Sequence, residues 1–165
     1  MIAPPADPNR VRHAHPDDEE ELMRLCRSLH DENAFLPMSE EKVRGMIHRA
    51  FDRRGGIIGV VGTHDRIEGA ICLTISTMWY AEQWVLEELF NFVHPEFRRS
   101  TNAKDLIAFA KMASDELHLP LLIGIVSNLR TAAKVRMYRN QLGEPAGAFF
   151  LHGATTGEPN YVRQG

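Results

Sequence analysis

Two cysteines, Cys26 and Cys72, are the only thiols in the 165-residue chain. Neither stands in a paired spacing of the zinc or redox kind, and each lies in apolar periodic sequence. They are expected to be buried free thiols in a reducing, cytoplasmic setting. The eight histidines form no HExxH or other ligand pattern, so no metal is expected. A P-loop and a GxGxxG fingerprint are both missing, which counts against an ordinary nucleotide-binding domain. No apolar stretch approaches the ~20 residues needed to cross a bilayer. The proline-rich start, Met1 to Arg10, is not followed by the apolar run of a signal peptide. With 19 basic against 22 acidic side chains, the formal charge is -3. Such a balance gives no basic field for nucleic acid phosphates, so any anion site must be local.

What is present is one domain's worth of patterned sequence, with 44% hydrophobic residues. Residues 1–10 read as a loose arm, 11–152 as the folded domain and 153–165 as a tail. After a short strand at Val11 to His13, Pro16 and the acidic run Asp17 to Glu21 open a helix with the stripe Leu22, Leu25, Cys26 and Leu29. Ser39 caps a second helix carrying Val43, Met46, Ile47 and Ala50. Ile57 to Gly62 and Gly69 to Ser76 read as an antiparallel hairpin, and Trp84 to Val93 as the next strand of the meander. His94-Pro95 ends that strand, and a helix with Ala103, Leu106, Ile107, Ala110 and Leu117 follows. Leu121 to Val126 reads as a buried strand, Ala132 to Leu142 as a last helix ending at Gly143, and Ala148 to Leu151 as a final strand. The order is β-α-α-β-β-β-α-β-α-β.

The stretch LFNFVHPEFRRSTNAKDLIAFA runs a buried strand through a proline turn into two arginines and the small polar start of a helix. Free N–H groups at a helix start favour anions. Ser100, Thr101, Asn102 and Ala103 are therefore candidates to hold a pyrophosphate, with Arg98 or Arg99 neutralising it. An ordinary helix cap beside solvated arginines fits the same residues equally well.

VHPEFRRSTNAKDLI resembles the acetyl-CoA-binding motif of the GNAT superfamily of N-acetyltransferases, with Arg98-x-x-Thr101-x-Ala103 in place of Gln/Arg-x-x-Gly-x-Gly/Ala. Thr101 departs from the usual glycine and puts a β-branched side chain, which restricts the backbone, in the middle of the loop. IVSNLRTAAKVRMYRNQLG resembles the family's following strand and helix through Asn128, Tyr138 and Gly143. The residue-level likeness spans about Leu86 to Gly143.

The resemblance implies an α/β (α+β) fold: a mixed, mostly antiparallel sheet of six to seven strands flanked by four helices. Acetyl-CoA is the implied cosubstrate, held where Trp84 to Val93 and Leu121 to Val126 splay apart. The backbone near Asn91, Phe92 and Val93 would hold the acetyl carbonyl and pantetheine, and Asn128 would orient the cofactor or cap the last helix. Tyr138 matches the tyrosine that protonates the departing thiolate, since a phenol of pKa about 10 can donate to a thiolate of about 8.5; a core tyrosine would satisfy the same spacing. Glu87 matches a general-base position, and strand alternation puts it on the face of Leu89, Asn91 and Val93, with Glu88 facing away; a solvated or paired carboxylate is the alternative. Trp79, Tyr80 and Trp84 fit an acceptor pocket, a homodimer contact or core packing alike. The expected reaction is acetyl transfer to a primary amine on a small molecule or peptide. A CoA-binding module without turnover is the rival.

Overall fold

In the computed structural model, which describes residues 4–127 and 130–153, four helices pack on a five-stranded sheet in the order β1-β2-β3-β4-β5. The strands are β1 (Arg12–His13), β2 (Gly56–Thr63), β3 (Arg66–Thr77), β4 (Trp84–Val93) and β5 (Leu121–Leu122). All neighbouring pairs are antiparallel except β4 with β5, which is parallel. Helices α1 (Glu19–Asn33) and α2 (Glu40–Phe51) precede the meander, α3 (Asn102–Leu117) joins β4 to β5, and α4 (Thr131–Leu142) follows.

Local chemistry accounts for the helix ends. The His15 ring and the Asp18 carboxylate form a reciprocal cap around Pro16–Asp18, a 3-10 turn that runs into α1. Ser39 accepts from the Lys42 N–H at 3.3 Å to start α2. Gly143, at φ 93°, stops α4 in a conformation that costs glycine little.

Side-chain alternation divides the core between the two faces of the sheet. Ile58, Val60, Ala70, Cys72, Phe90 and Phe92 pack with Leu22, Leu25 and Ile47 under α1 and α2. Val61, Ile71, Leu73, Leu86 and Val93 pack with Leu106, Phe109 and Ala110 of α3. Gly59 lets the Phe109 ring lie directly on β2, since a Cβ there would come within 2.6 Å of it. Burial pushes the Cys26 and Cys72 thiols up to about 12, so both behave as small hydrophobes.

Several expectations need correction. The sheet has five strands among the described residues, fewer than the six or seven expected. Ala148 to Leu151 is not in the ladder; the Phe149 ring sits on Gly124, 3.1 Å from where a Cβ would stand, so this segment packs through a side chain and not through backbone pairing. β5 ends at Leu122 and does not reach Val126, because β4 turns away from it. The segment before β1 is not loose. Pro8–Arg10 forms a 3-10 turn, the Asp7 N–H donates to Asp105 Oδ1 at 2.8 Å, and Arg10 pairs with Asp105 Oδ2 at 2.6 Å. A wholly buried carboxylate at the start of α3 needs those partners, and the arm supplies them.

Trp79, Tyr80 and Trp84 are 94%, 68% and 57% exposed, which removes core packing from their three readings. Among the described residues no helix is long and apolar enough to cross a membrane.

Candidate active site

β4 and β5 pair only at Leu86 with Leu121 and Glu87 with Leu122, then separate. The cause lies in β4. Its register against β3 shifts between Cys72, which faces Phe90, and Leu73, which faces Glu88, so Leu89 is an extra, unpaired residue. A bulge of this kind bends the strand and breaks its alternation. Beyond it, the His94 N–H donates to the Glu68 carbonyl of β3 at 2.8 Å. By alternation, the backbone groups of Asn91 and Val93 point the other way, toward the edge that β5 has left. The Val93 carbonyl indeed accepts from Arg98 Nε at 3.1 Å. A polar backbone edge inside a sheet is costly unless something pairs with it.

A cavity of about 900 Å³ fills this gap and touches residues on both faces of the sheet. At its centre the bulge reverses the expectation for the two glutamates. Glu87 pairs with Thr74 and accepts from Ser76 Oγ at 2.9 Å, so it shares their face and not that of Asn91 and Val93. Glu88 pairs with Leu73 of the α3-side core and stands on the face of Asn91. Its Oε2 is shut off from solvent and has no partner among the described residues, as is true of Asn91 Oδ1. Burial raises the Glu88 carboxyl to about 8, against a hydrogen bond from the Gly124 backbone that favours the charged form. The expectation that Glu87 faces Asn91 and Val93 is therefore wrong by one residue of register.

Tyr138, on the inner side of α4, completes the cluster. Burial and the neighbouring Glu88 push its phenol above the ordinary range, and a hydrogen bond from the Asn91 side chain opposes them. With Asn91 Oδ1 unpaired, the amide nitrogen is the group that meets the phenol. A proton acceptor raised toward neutrality, an amide and a phenol that stays protonated thus share one water-poor end of the cavity.

The other predicted residues divide into two groups. Arg98, Ser100 and Ala103 line the cavity with Asn91, Phe92 and Val93. Arg98 is held in place: its guanidinium pairs with Glu32 of α1 and lies 5.3 Å over the Phe92 ring. Lys134 of α4 joins the same carboxylate at 3.4 Å, so the two cations bridge α1 to the cavity wall. The Ala103 N–H, in the first turn of α3, has no partner among the described residues. Thr101, Asn102 and Arg99 do not line the cavity. Thr101 Oγ1 donates to Asp105 Oδ2 at 2.8 Å and accepts from Arg10 at 2.5 Å, while the Asn102 amide donates to Glu68 at 2.7 Å. Thr101 adopts φ −86° and ψ −2°, open to any residue, so its side chain neither strains the turn nor enters the cleft. Arg99 is exposed and unpaired among the described residues. Asn128 lies outside the described residues.

The donors and acceptors present fit a pantetheine thioester. An open strand edge can pair with amides, a helix start with a free N–H and nearby cations can take phosphate, and a cluster of orphaned polar atoms marks where the chain's own groups stop.

No family model matches the sequence, and no curated protein matches it. Solved structures do. An integron cassette protein from the mobile metagenome of Cole Harbour Salt Marsh superimposes with a TM-score of 0.69 at 19% identity, covering 92% of this chain and 93% of that one. A probable acetyltransferase gives 0.65 at 17% identity, over 90% and 99% of the two chains. AAC(6')-Iy, in complex with the bisubstrate analogue CoA-S-monomethyl-acetylneamine, gives 0.65 at 14% identity, over 86% and 95%. The chain thus has the GNAT-like fold of the acetyltransferases.

Proposed function

We propose that the protein is an acyl-CoA-dependent N-acetyltransferase that moves an acetyl group from acetyl-CoA to a primary amine. The observation that carries this reading is the cluster of Glu88, Asn91 and Tyr138 at the closed end of the β4–β5 gap, with Glu88 Oε2 orphaned. A module that only bound CoA would have no use for a strand carboxylate kept out of water and raised to about 8, which is expensive to maintain. The likeness to an acetyltransferase bound to a CoA bisubstrate analogue supports the same cosubstrate class.

In this reading the N–H groups of Asn91 and Val93 take the pantetheine and acetyl carbonyl, fixed beforehand by the β3 ladder. The α3 start, through the Ala103 N–H, takes the pyrophosphate, with Arg98 and Lys134 beside it; Ser100 shapes the turn, its N–H and Oγ both donating to the Phe97 carbonyl. Glu88 replaces Glu87 as the base. The neutral amine attacks the thioester carbon, the new C–N bond forms as the C–S bond breaks, and Glu88 takes the surplus proton from nitrogen. Tyr138 gives its proton to the departing sulfur, and the proton on Glu88 restores Tyr138.

Calorimetric titration with acetyl-CoA, desulfo-CoA and ATP tests the site. Binding of the first two but not the third is expected. Absence of acetyl-CoA binding to folded protein would overturn the assignment.

A further inference from the structure

The two ends of the cavity differ in chemistry. Toward α3 and α4 its wall carries Arg98, Arg130 and Lys134, a cationic end suited to a polyphosphate. Toward α1 and α2 the wall is Leu29, Phe35, Met38, Val43, Met46 and Phe90. Leu29, Met38, Val43 and Met46 are anchored on the α1–α2 core, so this surface is part of the packed fold. Among the described residues, the carboxylates that line the cavity are Glu87 and Glu88 alone. Glu87 faces the apolar end and is held by Ser76, while the cation there is Lys42. The other acids nearby are committed elsewhere: Glu32 to Arg98 and Lys134, and Glu40 to Arg27 at 2.7 Å.

A polycationic acceptor needs a carboxylate for each ammonium it buries, because an unpaired buried charge is costly and like charges repel. Here such a molecule would meet two carboxylates without a cation partner, one of them the base Glu88, together with a lysine and an apolar wall. An amine with one positive charge and an aromatic or aliphatic body meets complementary groups throughout: Glu88, which takes the proton from its nitrogen, and methionine and phenylalanine side chains for the body. Methionine adapts to varied apolar shapes and favours contact with aromatic rings.

We infer that the acceptor is a primary amine bearing a single charge and an apolar body, bound along the α1–α2 wall, and that aminoglycoside-like polyamines are poor acceptors. This rests on the acetyltransferase reading above and narrows its substrate. The test takes the full-length protein after calorimetry with acetyl-CoA and follows thiol release with 2-phenylethylamine and with neamine. The kcat/KM for 2-phenylethylamine is expected to exceed that for neamine by about tenfold or more. Phe35→Asp changes a rim residue that is 40% exposed, so the fold should tolerate it. It is expected to cut kcat/KM for 2-phenylethylamine about tenfold while leaving the Kd of acetyl-CoA unchanged. Equal or better turnover of neamine, or acetyl-CoA binding with neither amine acetylated, overturns the inference and leaves the cofactor site standing. Failure to bind acetyl-CoA overturns the reading beneath it.

Discussion

Replacing Glu88 by glutamine keeps its shape and removes its charge, and two independent readouts should move in opposite directions. The carboxyl is raised to about 8, from an ordinary value of 4.5, mainly by burial. Between those values an unfolded chain has lost the proton while the folded one retains it, so stability falls as pH rises through that window and is level above it. Each tenfold of proton affinity corresponds to about 1.4 kcal/mol, which makes the cost in the wild type about 3 to 5 kcal/mol above pH 8. Glu88→Gln avoids it. Urea melts at pH 4.5 and pH 9 should show variant and wild type close together at the first and the variant clearly more stable at the second. Activity should fall, by about 10²-fold or more if Glu88 is the base. With an amine of pKa near 10, log kcat/KM of the wild type should rise with pH at a slope of about two up to about pH 8, then about one, because base and amine both lose protons below it. Glu88→Gln should keep a slope of about one throughout. A variant no more stable than the wild type at pH 9 would show that the carboxyl is not held out of water. A variant with an unchanged rate profile would show that it is not the base.

Three further predictions test other parts of the site and fold. Tyr138→Phe should lower kcat about 100-fold and leave acetyl-CoA binding intact, as stopped assays and calorimetry on the same preparation would show. Thr101→Gly restores the glycine of the family motif, yet should not tighten acetyl-CoA binding, because the threonine side chain points at Asp105 and Arg10; its effect should be a loss of about 1 to 2 kcal/mol in denaturant stability. Arg12→Ala removes the bidentate partner of the wholly buried Asp18. Burial alone would raise Asp18, but Arg12, the His15 N–H and His64 outweigh it and hold the carboxyl at about 2. The stability this gives is present above the ordinary value of 3.8 and lost as pH falls toward 2. Arg12→Ala should cost about 3 kcal/mol at pH 7, with the deficit shrinking in acid.

The helices and the long strands are legible in the sequence because each follows one period. The stripe of α1, the serine cap of α2 and the proline after β4 act through neighbours in sequence, and all three stand where their chemistry puts them. The role of residues 4–10 is not legible, because proline-rich polar sequence looks the same whether free or pinned. What pins it is Asp105, 98 positions from the Asp7 N–H it accepts. Thr101 misleads for the same reason: its departure from glycine reads as strain only while Arg10 and Asp105 are out of view.

The exchange between Glu87 and Glu88 has a sharper cause. In WVLEELFNFV nothing distinguishes Leu89 from an ordinary apolar strand residue, and strict alternation carries Glu87 onto the face of Asn91. Alternation fails there because β3 spends nine residues pairing with ten of β4, and the surplus falls at Leu89. One bulge then has two effects. It turns Glu88 inward beside Asn91 and Tyr138, and it bends β4 away from β5, opening the edge on which an acyl thioester can lie. The slot for the substrate and the parity that keeps Glu88 on the face of Asn91 both trace to this one bulge. Deleting Leu89 should remove the bulge and close the gap while leaving Glu88 on the face of Asn91, because the two then stand two residues apart. Two readouts would reveal this: acetyl-CoA binding should disappear, while in the deletion background Glu88→Gln should still raise stability at alkaline pH.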